Sequence, residues 1–142
     1  MKVGMEIKSL FLDRPKVGKA VDRTTRRVLG RFGAFVRRGA RSSIRPRKKV
    51  STPGSPPSSH EGSLKRLIFF GLDPRPRKRS VVIGPVPFKE GLAPEILEYG
   101  GTTTLEQDGE KVNADFKPRP FMGPAFEAEK PKLPSMWRDA VN

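Results

Sequence analysis

The stretch RPKVGKAVDRTTRRVLGRFGAFVRRGARSSIRPRKK, residues 14–49, decides how this chain is read. It holds fourteen Lys or Arg against the single acid Asp22, a local net charge of +13 out of +14 for the whole chain. Within it Val17, Val21, Val28, Phe32, Phe35, Val36 and Ala40 recur at steps of three and four, flanked by Ala20, Leu29 and Ile44. That period predicts a long amphipathic helix. Its polar face is almost wholly cationic, because Lys16, Lys19, Arg23, Arg26, Arg27, Arg31, Arg37, Arg38 and Arg41 fill the positions between. Asp13 followed by Pro15 marks the start, since Asp accepts orphan backbone N–H bonds and Pro is tolerated in the first turn. Arg45-Pro46 marks the end, because the residue before Pro is pushed out of the α region. Gly30, Gly33 and Gly39 each cost about 1 kcal/mol against Ala, so the helix needs tertiary packing, and such glycines can mark close contacts.

Working outward, Val3, Met5 and Ile7 alternate with Gly4, Glu6 and Lys8, the period of a half-buried strand. Residues 46–59 have the Pro, Gly and Ser content of a loop and too little apolar content to pack, which predicts an exposed or partner-ordered segment. Ser58-Ser59-His60-Glu61 has capping-box spacing ahead of Leu64 and Leu67 and predicts one helical turn, with Gly62 counting against it. Ile68-Phe69-Phe70 and Ser80-Val81-Val82-Ile83 read as a strand pair joined by a long basic loop, the expected centre of a small sheet. Ala93–Tyr99 reads as a short helix stopped by Gly100-Gly101. Thr102–Gln107 and Glu110–Phe116 flank Asp108-Gly109, a strong hairpin signal. The tail predicts a helix entered at Pro124, interrupted near Pro131 and Pro134 and resuming through Trp137. The whole is expected to be one α+β domain over 1–142: a small antiparallel sheet, a long basic N-terminal helix, a C-terminal helix, an exposed loop 46–59 and a hairpin arm 102–116.

Composition narrows the function. The 142 residues suit one domain able to bury roughly 70% of its unfolded surface. Hydrophobic content of 35% with 15 Pro and 14 Gly implies a modest core with arms that need a partner to become ordered. The chain has no Cys and one His, His60, so disulfides and thiolate metal sites are excluded and zinc would need carboxylate help. No secretory signal is evident, and the longest strongly apolar run, Leu67 to Leu72, falls far short of the roughly 20 residues of a membrane span. A cytosolic or virion setting follows as the expectation. His60 lies in a Ser/Pro loop with no identifiable nucleophile or carboxylate, and no phosphate-cradling Gly loop is present. Glu90, Glu95, Glu98, Glu106, Asp108 and Glu110 are spread over a helix and a turn, where solvated surface is the plain assignment. No catalysis is expected.

The basic face admits three readings. It can neutralise nucleic-acid phosphates, though Phe32 and Phe35 fall on the apolar stripe and so do not serve as base-stacking platforms. It can meet the acidic surface of a protein neighbour through Arg. Or it is simply solvated. Charge alone does not choose.

Several separated segments do carry a resemblance. A basic N-terminal helix is followed by Pro53-Gly-Ser-Pro-Pro-Ser-Ser-His60-Glu-Gly-Ser-Leu64-Lys-Arg, then Ser80-Val-Val-Ile-Gly84-Pro85, then Ile96-Leu-Glu98-Tyr-Gly100-Gly101, then Lys117-Pro-Arg-Pro120-Phe121-Met-Gly-Pro124-Ala125. This ordered set, spread over most of residues 14–126, resembles the neck and tail-component family of long-tailed bacteriophages. The resemblance implies a structural virion protein of the head-to-tail junction, a neck or tail-completion subunit assembling as a ring, hexamer or dodecamer, around the DNA channel. It implies neighbouring connector and tail proteins as partners, non-specific contact with packaged DNA, no membrane, no cofactor, and residence in the virion after assembly in the host cytoplasm. Arg23, Arg26, Arg27, Arg31, Arg37, Arg38 and Arg41 are the expected contact residues toward a neighbour or the DNA path. Loop 46–59, the C-terminal arm and the Thr102–Phe116 hairpin are expected inter-subunit contacts. The alternative is a basic RNA-binding protein of ribosomal type; the single Tyr and the absence of an RNA-binding signature disfavour sequence-specific readout.

Overall fold

The computed structural model describes residues 14–75, 79–86 and 93–141. The strand expected around Val3–Ile7 and the capping role of Asp13 lie outside them. The expected long helix is the main element: α1 spans Arg14–Ser43, 30 residues, about 45 Å at 1.5 Å per residue. Val28, Phe32, Val36 and Ala40 of its stripe, with Ile44 just beyond its end, are buried against Ile68, Phe121, Ala125 and Met136. The stripe outruns this core, since Val17 and Val21 remain 47% and 43% exposed.

Two short strands follow, β1 at Arg45–Pro46 and β2 at Ser58–Ser59, paired in parallel. They close loop 46–59 at its neck, and the loop is more tightly held than its composition suggested. Ser51 and Pro57 are buried, and the Gly54 N–H donates to Pro118 O at 2.8 Å. Backbone hydrogen bonds, rather than apolar side chains, hold the loop. The next helix, α2 at Ser63–Arg66, is not opened by the expected capping box. Gly62 takes a left-handed φ of 76° as its N-cap, and the Gly62 N–H donates to Ser59 Oγ at 2.7 Å. The residue that counted against the turn is the one that starts it, because a Cβ is disfavoured at that φ.

Strands β3 (Ile68–Leu72) and β4 (Val81–Pro85) pair antiparallel with Phe70 opposite Ile83. Ile68 is buried while Phe69 and Val82, pointing the other way, are 48% and 69% exposed, as the period of two requires. Among the described residues this pair, expected at the centre of a small sheet, has no third strand beside it. Helix α3 (Ala93–Tyr99) ends at Gly100, φ 76°, and leads to β5 (Gly101–Gln107) and β6 (Glu110–Phe116). These two close on each other through the Asp108-Gly109 turn, and among the described residues no strand extends β3–β4. Three separate two-stranded ladders result. The chain then runs through α4 (Met122–Glu129), a 3-10 turn (Lys130–Lys132) and α5 (Leu133–Val141). Pro131 sits in the 3-10 turn and Pro134 in the first turn of α5, which accounts for the expected interruption.

The fold is α+β, built around α1. On one side Gly33 admits β3 and β4: a Cβ there would lie 2.8 Å from Phe70 Cδ2 and 2.9 Å from Val81 Cγ2. On another, a Cβ built on Gly39 would lie 3.5 Å from the Cβ of Ala125 in α4, and Phe32 meets Phe126 edge to face with ring centroids 5.7 Å apart. Among the described residues, no element covers the third side of α1.

Candidate interaction surface

The open side of α1 is the basic one. At 100° per residue, Arg23, Arg26, Arg27, Arg31, Arg37, Arg38 and Arg41 project within a wedge of about 140°, so one face carries every candidate contact residue. Asp22 lies outside the wedge and is engaged elsewhere, accepting from Arg79 at 2.7 Å. The helix's single acid therefore does not neutralise its basic face. Five of the seven, Arg23, Arg26, Arg27, Arg31 and Arg38, are exposed; Arg37 and Arg41 are half-buried.

The seven are not equivalent. Arg37 is committed to the fold: its Nε donates to Ile68 O at 2.7 Å, and its guanidinium lies 5.6 Å from the centroid of Phe69. Phe35, expected in the core, is only half-buried and lies between Arg31 and Arg38, whose Cζ atoms sit 5.7 and 4.9 Å from its ring centroid. Such cation–π contacts contribute about 0.5–1 kcal/mol each at exposed sites and hold the two guanidinium groups in place. Arg27 and Arg31 rim a groove of about 200 Å³ with Met136 and Asp139 of α5. Arg26 borders a narrow crevice with Asp73 and Arg79. There Asp73, almost buried, accepts from the Arg75 backbone N–H at 3.0 Å and from Arg75 Nε at 2.8 Å. The Arg75 side chain, then its backbone N–H, hold the Asp73 carboxyl below the ordinary carboxylate value, against the opposing pull of burial.

Away from α1, the resembling segments meet at one corner. Glu98, expected to be solvated, is a helix cap supplied from a distance: its Oε2 accepts the N–H groups of Phe121 and Met122 at 2.9 and 3.0 Å, and its Oε1 that of Gly123 at 2.7 Å. One carboxylate thus satisfies three of the orphan donors at the start of α4 and sits at the positive end of the helix dipole. The Arg119 N–H donates to Leu97 O at 2.6 Å, Arg119 Nε to Ser51 O at 3.0 Å, and Phe121 is 1% exposed. Gly100 is required twice over, by its φ of 76° and by Phe116 O, which a Cβ would approach to 2.8 Å. No pattern local to Glu98 announces this, because its partners are more than twenty residues away.

The hairpin β5–β6 stands out from this corner. Leu105 and Val112, directly opposite each other, are 46% and 47% exposed. Its residues 101–116 carry Glu106, Asp108, Glu110 and Asp115 against Lys111, a net charge of −3. His60 is exposed beside a shallow depression with Arg47 and Lys48. Among the described residues no group of His, Asp and Glu is placed to hold a metal ion, and no helix is long and apolar enough to cross a membrane. Comparison of the chain with protein-family models, with curated proteins and with solved structures finds no significant match.

Proposed function

We propose that this chain is a structural subunit of the phage head-to-tail junction, a neck or tail-completion protein that assembles with copies of itself into a ring around the DNA channel. The observation that carries the proposal is the corner where loop 46–59, the end of α3 and the start of α4 interlock. The segments that bear the resemblance are far apart in sequence, yet Gly54, Glu98, Gly100, Pro118, Arg119 and Phe121 form one hydrogen-bonded and packed unit. Three of the five resembling segments thus share one tertiary device, while the segment from Ser80 to Pro85 supplies β4 beside α1. A one-sided guanidinium face and a protruding hairpin are surfaces suited to assembly. In this role Arg23, Arg26, Arg27, Arg31, Arg38 and Arg41 make the contacts, while Arg37 braces α1 against β3. The reading is tested by reversing Arg27, Arg31 and Arg38 to Glu and following particle assembly: heads and tails that fail to join support it, and normal particles containing the folded variant reject it.

A further inference from the structure

We infer that the acidic hairpin β5–β6 of one copy docks onto the basic N-terminal half of α1 in the next copy, so that each subunit is both donor and acceptor. This rests on the ring reading above and specifies its contact. Three observations converge. Charge is complementary: the hairpin carries −3, while residues 14–28 of α1 carry six Lys or Arg against Asp22, a net +5, and Asp22 is taken up by Arg79. Apolar surface matches as well. Leu105 and Val112 share one face of the hairpin, just behind the acids Glu106, Asp108 and Glu110 of its tip, and the first half of α1 presents Val17 and Val21, each pair nearly half exposed.

The third observation is the hairpin's isolation. Its two strands pair fully over seven residues each, yet a lone two-stranded hairpin is marginal in water. A partner that covers Leu105 and Val112 supplies the missing burial. Because donor and acceptor patches are different surfaces, the contact is head-to-tail, which generates a ring when the rotation closes. Opposite-charge docking of this kind sets orientation and register.

Sedimentation velocity on the purified full-length chain tests this. The wild type is expected to self-associate at low salt, with affinity falling at least about tenfold as ionic strength rises through the range where the Debye length drops below 10 Å. Glu106→Lys with Glu110→Lys, and separately Lys19→Glu with Arg23→Glu and Arg27→Glu, should each leave a monomer of native circular dichroism. Mixing the two variants should restore association. If the Lys substitutions unfold the hairpin, Glu106→Gln with Glu110→Gln removes the charge at no cost in shape and should weaken association in the same direction. A wild type that stays monomeric, an arm variant that associates like the wild type, or a folded pair that fails to rescue would each overturn the docking. So would a helix variant that loses affinity for a short DNA duplex while self-associating normally, which would give that face to DNA. Charge-dependent rings from a chain absent from phage particles would sink the neck reading alone; particles that incorporate arm variants normally would sink the docking alone.

Discussion

Gly30 and Gly33 lie within one turn of α1 and obey different constraints. Nothing stands within 4 Å of a Cβ built on Gly30, whereas one on Gly33 would press into Phe70 and Val81. Gly30→Ala is therefore expected to raise stability by about 1 kcal/mol through helix propensity, and Gly33→Ala to lower it by about 1–3 kcal/mol through overpacking. Urea denaturation separates the two. Glu98→Gln keeps the shape but offers one good acceptor oxygen to three N–H groups and loses the charge at the α4 terminus, an expected loss of about 1–3 kcal/mol. Asp73 gives a pH signature. Its folded pKa lies below the ordinary 3.8, so its stabilisation is fully present above that value and is lost as pH falls through it toward the folded value. Urea midpoints for Asp73→Asn should lie below wild type at neutral pH, the gap closing in acid below about pH 4; a gap independent of pH would contradict the assignment. The sequence marked Gly33 as a contact candidate and Gly100 as a stop. It could not mark Glu98 or Asp73 as structural, because a carboxylate's partners are set by tertiary approach and both residues look like ordinary surface acids.

At the scale of elements, legibility followed the range of the interactions. Helix α1, helix α3 and hairpin β5–β6 were legible because period, Gly stops and an Asp-Gly turn are local signals. The 3.6 period even sorted the basic face from the core, although Phe35 fell at the boundary and went to the guanidinium groups. Loop 46–59 was legible as a mostly exposed segment, but its anchoring was not, because that comes from the β1–β2 bridge and from Pro118 and Arg119, all distant in sequence. The division of the described strands into three separate pairs was not legible, since local strand signals do not say which strand pairs with which. The hairpin offers a prediction at this scale. Replacing residues 103–115 by a short Gly linker removes strands that pair chiefly with each other, so the melting temperature should fall by only a few degrees, the shift expected for about 1 kcal/mol or less. Ring assembly should be lost. Rings that form without the hairpin would strip it of its role as an arm.

In the whole molecule a braced helix lies at the centre, with β3–β4 on one flank, α4 and α5 on another and a guanidinium face turned outward. An acidic hairpin and a concentrated cationic face suit an adaptor whose identity lies in its neighbours. The basic face alone would suit an RNA-binding protein of ribosomal type equally well, and what separates the two is where the chain goes in the cell. The most direct measurement is to fractionate a lysate of producing cells on a density gradient after nuclease treatment at low ionic strength, and to locate the chain by mass spectrometry. Co-migration with phage tails, heads or complete virions is the predicted result, because nuclease digests a nucleic-acid tether and leaves contacts between protein surfaces in place. Migration with ribosomal subunits, or release to the soluble fraction once nuclease has acted, would contradict it.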